Sequence, residues 1–158
     1  MRWSEVLAHP SLQDLPFKIE LNEYGQIVMS PASNQHALLQ GRIAVYLQKR
    51  LGGEVLTECS IDTPKGVKVP DVAWCSDAFA SEFAVATPMV RAPEIRVEVR
   101  SPPNSARSLS DKIELCLGAG AKEVWLVAES GDTTFFDASG QISKSRLADD
   151  APSFGHRH

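Results

Sequence analysis

The sequence predicts an α/β domain of the mixed, α+β kind: a central mixed β-sheet flanked by helices, with a β-hairpin at its N-terminal end. Three observations predict it. Glu94 to Arg100 alternates strictly, with Ile95, Val97 and Val99 on one face and Glu94, Arg96, Glu98 and Arg100 on the other. Glu123 to Ala128 is near-continuously apolar, the pattern of a central strand covered on both faces. The order of elements is hairpin, helix, three strands, helix, strand, hairpin, which is not a regular βαβα alternation.

Each element has a local cause. Residues 3–8 predict a short helix, ended by His9-Pro10 because a residue before proline disfavours helix. Phe17 to Leu21 alternates with period two, Asn22-Glu23-Tyr24-Gly25 is a turn, and Gln26 to Ser30 follows as the second arm of a hairpin. Ser33 is a helix N-cap candidate. His36, Leu39, Ile43, Tyr46, Leu47 and Arg50 then share one helical face until Gly52-Gly53 stops the run. Glu54 to Asp62 and Val69 to Cys75 read as strands, Pro70 favouring a strand end or edge, with a turn at Thr63 to Gly66 between them. Residues 76–93 read as irregular or weakly helical. Ser108 to Asp111 resembles a capping box. It opens a helix that buries Leu109, Ile113, Cys116 and Leu117 and stops at Gly118-Ala119-Gly120. Gly131-Asp132 turns into Thr133 to Phe136, and Gln141 to Ser145 is a last weak strand.

A chain of 158 residues with 43% hydrophobic and 23% charged side chains is an ordinary globular domain. We expect one domain over residues 1–146 and a frayed tail over 147–158. No apolar run is long enough to span a bilayer, and the N-terminus lacks the apolar core of a secretory signal. Cys59, Cys75 and Cys116 are odd in number and far apart, as expected for reduced, buried thiols in a cytoplasmic protein. No Cys-x-x-Cys or His-x-x-x-His pair suggests zinc. The net charge of −4 argues against non-specific coating of nucleic acid. The charge is uneven, however: residues 65–112 carry seven basic against six acidic groups, while the flanking segments are both acidic.

The candidate chemistry lies in that middle segment. Asp71 follows a proline at the start of a strand, and Glu98 sits near the end of a strand that should be central. A strand carboxylate usually faces solvent. A half-buried one needs a cation or a proton, and for Glu98 the flanking Arg96 and Arg100 are structural alternatives to a metal. Lys112 borders the buried stripe of its helix near the N-terminus, where the helix dipole disfavours a cation. Mg²⁺ (or Mn²⁺) takes few carboxylates and keeps several waters, so Asp71, Glu98 and the Val99 carbonyl suit it, with Lys112 orienting a water or offsetting developing charge.

Taken together these residues resemble the Uma2 family of the PD-(D/E)xK restriction-endonuclease-like superfamily. Lys18 to Leu21 with Gly25 and Val28 to Ser33 looks like the family's opening hairpin, and His36 matches its helix histidine. Val69-Pro70-Asp71-Val72 looks like its Pro-Asp motif, and Val97 to Pro102 its Glu-Val-x-Ser-Pro motif. Asp111-Lys112 through Gly120, with Glu123 to Val127, resembles its lysine-bearing helix and final central strand. The resemblance implies a restriction-endonuclease-like core and Mg²⁺-dependent hydrolysis of DNA by Asp71, Glu98 and Lys112, with Glu20, His36 and Arg100 as accessory candidates. Arg100 stands where the superfamily's plain form has its lysine; Cys116 and Val124 replace tyrosines common in the family. By analogy with restriction-type cutters we expect a homodimer. The competing readings are a non-catalytic nucleic-acid-binding or interaction module on the same fold, and hydrolysis of a small phosphate ester.

Overall fold

The computed structural model describes residues 1–15, 17–100 and 106–155. A short helix α1 (Trp3–Ala8) precedes the hairpin of β1 (Phe17–Leu21) and β2 (Ile27–Pro31), which pair antiparallel with Lys18 opposite Ser30. Helix α2 (Asn34–Leu51) opens at Ser33, whose hydroxyl accepts the His36 N–H, and closes at Gly52. Strand β3 (Glu54–Thr57) follows, and then a second small hairpin of β4 (Ile61–Thr63) and β5 (Gly66–Lys68). Next come β6 (Val72–Cys75), α3 (Asp77–Phe83), β7 (Ile95–Val99), α4 (Ala106–Gly118), β8 (Glu123–Val127), β9 (Thr133–Asp137) and β10 (Gly140–Ile142).

The central sheet has six strands in the order β10-β9-β8-β7-β6-β3. Only β7 and β8 run parallel, joined through α4; their neighbours are antiparallel, so the sheet is mixed as expected. One face packs Leu39, Ile43 and Leu47 of α2 against Val72, Trp74, Ile95, Val97 and Trp125. The opposite face packs Cys75 and Val124 against Phe79 of α3 and Cys116 of α4. With both faces covered, all five residues of β7 are buried, including Arg96 and Glu98.

Several expectations are corrected. The single strand over residues 54–62 is two strands in different sheets, because the backbone turns left-handed at Glu58 (φ 57°). The strand read over 69–75 begins only at Val72, with Pro70 and Asp71 leading into it; Pro70 has no N–H to give a ladder. Over residues 76–93, read as irregular or weakly helical, Ser76 caps a helix at Asp77–Phe83. The chain is already helical at Ala106, so Ser108 lies inside α4 and is not its cap. The loop expected at 102–105 lies outside the described residues.

The segment expected to fray from residue 147 instead packs on the domain through Gly155. Ala148 and Phe154 are buried beside α2 and β8. Tyr46 donates to Asp150 at 2.6 Å, and Arg42 donates to the Phe154 carbonyl. Residues 156–158 lie outside the described residues.

Candidate active site

The N-terminal hairpin is fastened to the chain leading into β6, and that junction builds the site. Gly66, with φ +96°, lies where any Cβ would run into the carbonyls of Leu21 and Asn22. Glu20 reaches across from β1, and its Oε2 accepts the Val69 N–H at 2.6 Å. Period-two alternation puts Lys18 on the same face as Glu20. Both side chains are therefore turned inward, over the end of the central sheet.

There the two acids meet. Asp71 stands at the head of β6, alongside the C-terminal end of β7, and its Oδ2 accepts the Val99 N–H at 2.8 Å. The same oxygen is 3.2 Å from His36 Nε2, which α2 brings in from above. Glu98 Oε1 accepts from Arg96 Nε at 3.1 Å and from its Nη2 at 2.8 Å. Each carboxylate thus has one oxygen held by the protein frame. The other oxygens, Asp71 Oδ1 and Glu98 Oε2, converge on one ammonium: Lys18 Nζ lies 3.2 Å from the first and 3.5 Å from the second.

These groups line a cavity of about 550 Å³ with His36, Lys112 and Arg100. Asp71, Glu98 and Lys112 therefore share one space, but not one contact. Among the described residues Lys112 pairs with Glu20, at 4.0 Å from Oε1. Val99 lines the cavity and contributes its N–H to Asp71. His36, read as an accessory candidate, touches Asp71 directly, and Glu20 fastens the hairpin. Arg100 lines the cavity without an ion pair among the described residues.

Burial opposes ionisation of Asp71, but His36, Lys18 and the Val99 N–H outweigh it and hold the carboxyl well below the usual range. Burial likewise pulls the Lys18 ammonium down, but Glu98, Asp71 and Glu20 overcome it, so Lys18 stays charged with its pKa raised. The thiols take no part: burial pushes Cys59 and Cys116 up to about 12.

Lys18 is the residue that sequence reasoning missed. Its signal was present, since it is two positions from Glu20 on an alternating strand. What the alternation could not tell is that the polar face of this hairpin is covered as well as the apolar one, with Lys18 half-buried and Glu20 buried while Leu21 packs on Val6 and Val67.

The ion-paired charges of the site balance. Asp71, Glu98 and Glu20 face Lys18, Arg96 and Lys112 within ion-pair reach. Among the described residues no three His, Cys, Asp or Glu side chains are grouped as metal ligands. Two carboxylates, each with one oxygen aimed at the same cation, nevertheless have the donor chemistry that suits a hard ion taking few protein ligands. Among the described residues no helix is long and apolar enough to cross a membrane.

The Uma2 family profile, described as "Putative restriction endonuclease", matches residues 3–140. The fold is similar to the crystal structure of "a putative nuclease belonging to DUF820" from Anabaena variabilis ATCC 29413. The TM-score is 0.62 at 18% identity, over 86% of this chain and 87% of that one. No protein in the search of curated proteins matches this chain.

Proposed function

The chain belongs to the Uma2 family, and from that premise we propose that it is a metal-dependent endonuclease hydrolysing phosphodiester bonds in DNA. The observation that carries this reading is the convergence of Asp71 Oδ1 and Glu98 Oε2 on one cation, in a cavity that also holds Lys112. Asp71, Glu98 and the Val99 carbonyl would hold Mg²⁺ or Mn²⁺. When bound, the ion polarises a phosphate oxygen and lowers the pKa of a water.

The chain's own residues supply the rest. His36 and the Val99 N–H fix Asp71, and Arg96 fixes Glu98, so neither carboxylate has to reorganise during the reaction. Lys112 sets a positive charge in the cavity, where it offsets charge building on the phosphate or orients the attacking water. Arg100, exposed on the cavity lining, offers the DNA backbone a phosphate contact. Cutting both strands of a duplex with one such centre per chain calls for two chains, so the proposal includes a homodimer on DNA.

One observation favours a second reading, a nucleic-acid-binding module that does not cut. Lys18 already neutralises both acids from within the chain. Supercoiled plasmid with Mg²⁺ or Mn²⁺ separates the two. We expect nicking by the wild type and not by Asp71→Ala or Glu98→Ala. Equal cleavage in all three samples indicates a contaminant and defeats the enzyme reading. Binding without cleavage in all three favours the second.

A further inference from the structure

We propose that Lys18 is an exchangeable counter-ion, which competes with the divalent cation for Asp71 and Glu98 and couples metal loading to the arrival of a phosphate. The proposal rests on the metal-dependent reading above and deepens it.

Three observations lead here. First, the ammonium lies within 3.5 Å of the one free oxygen on each acid, and the second oxygen of each is already committed to His36, the Val99 N–H or Arg96. The carboxylates have no other oxygen to offer. A divalent ion on Asp71 Oδ1 and Glu98 Oε2, at the roughly 2 Å that Mg²⁺ requires, cannot share that space with Lys18 Nζ. Second, the three carboxylates and the three cations paired with them already balance, and Arg100 and Glu129 add one charge of each sign to the lining. Adding a divalent charge without removing Lys18 leaves the site over-positive in a setting of low dielectric.

Third, Lys18 can leave while Arg96 cannot. Arg96 is fully buried with its guanidinium clasped on Glu98. Lys18 is a flexible stem on the hairpin, and its side chain, about 14% exposed, lines the open cavity. Leaving the acids, its ammonium must find another anion or return to water, and a DNA phosphate in the cavity is such an anion. Phosphate therefore draws Lys18 off the acids and frees them for metal. By linkage, metal and DNA each tighten the other.

The probe is Mn²⁺, titrated against the full chain and followed by the electron paramagnetic resonance signal of the free ion. Titrations run with and without a short DNA duplex carrying non-hydrolysable phosphorothioate linkages. Lys18→Gln should bind Mn²⁺ about tenfold tighter than wild type without DNA, since its competitor is gone. Lys18→Arg keeps the charge in a fork that grips carboxylates more firmly, and should bind Mn²⁺ several-fold more weakly. Adding duplex should tighten Mn²⁺ on the wild type and leave Lys18→Gln unchanged.

Should Lys18→Gln fail to fold, the Lys18→Arg affinity and the wild-type DNA effect carry the test. Mn²⁺ affinity equal across the Lys18 series overturns the exchange, as does an equal duplex effect in wild type and Lys18→Gln. Asp71→Asn separates the two layers of argument. If it abolishes Mn²⁺ binding while the Lys18 series is flat, only the exchange is wrong. If Asp71→Asn binds Mn²⁺ like wild type, the metal site itself is misplaced and the exchange falls with it.

Discussion

Two buried glutamates lie at opposite ends of the parallel pair β7–β8, and they are held in opposite ways. Glu98 is partnered by cations: Arg96 on one oxygen and Lys18, from a distant hairpin, on the other. Glu123 is partnered by neutral donors. The Trp125 indole N–H and the Ser145 hydroxyl donate to its Oε2 at 2.9 and 2.6 Å, and the backbone N–H groups of Arg146 and Leu147 donate to its Oε1. Among the described residues it has no ion pair. All its lone pairs face protein, so it has nothing left to offer a ligand, and its task is to fasten the C-terminal segment. Glu98 keeps one oxygen turned to a cavity and to a cation that can move. The partner set, more than the burial, separates a carboxylate bonded in place from one that keeps an oxygen turned to a cavity.

The largest effect expected from this contrast is on cleavage. Asp71→Asn and Glu98→Gln should each lower the plasmid-cleavage rate at least about 1,000-fold, roughly 4 kcal/mol of transition-state stabilisation, while circular dichroism stays native. Glu123→Gln should keep its rate per folded molecule within a few-fold. A similar loss of rate in Glu123→Gln would break the comparison.

Arg96→Met sharpens the same contrast on stability. It leaves Glu98 buried beside one cation only, with an oxygen stripped of two donors. Removing one member of a buried pair costs about 3–5 kcal/mol, so the urea midpoint should fall sharply. The double variant Arg96→Met/Glu98→Gln should recover part of that loss, and absence of any recovery would mean that Arg96 acts by packing alone.

The sequence made the frame of the site legible and left its contents partly hidden, for physical reasons. Ser33, Gly52 and the alternation around Glu98 act locally, and the elements they predict are present. Asp71 and Glu98 stood out because each sits in an apolar strand context. Lys18 did not, since the covering of the hairpin's polar face depends on the β4–β5 hairpin folding back onto it. The tail was misread for the same reason, and the bonds of Glu123 that hold it were not foreseen. A carboxylate at a strand start looks solvent-facing until Ser145 and the backbone at 146–147 arrive from 22 or more residues away. The kink at Glu58 carried no glycine to announce it.

Glu123→Ala tests the fastening role. It removes the acceptor of four donors, three of them on the 145–147 segment. A cost of about 2–3 kcal/mol is expected, because charge-assisted hydrogen bonds are each worth more than neutral ones and some donors will find water instead. The signature is local. Protease cleavage between residues 143 and 155, and hydrogen exchange at the Ala148 amide, should rise well before the rest of the domain opens. A uniform loss of protection would mean that the segment is not an independent flap.

The smallest effect is acid sensitivity, and it belongs to the cation-held side. The Asp71 carboxyl is lowered in the folded protein from 3.8 to about 2. A depressed carboxyl binds its proton more weakly folded than unfolded, so its contribution is complete above pH 3.8 and is lost as pH falls through about 2. A shift of that size corresponds to about 2 kcal/mol, spread over the window between those two values. Urea midpoints measured at steps from pH 5 downward should therefore fall less steeply for Asp71→Asn than for wild type, whatever the offset between them. Parallel slopes would mean that His36, Lys18 and the Val99 N–H do not hold Asp71 ionised. The contrast between a carboxylate poised by charge and one merely bonded in place would then lose its electrostatic basis.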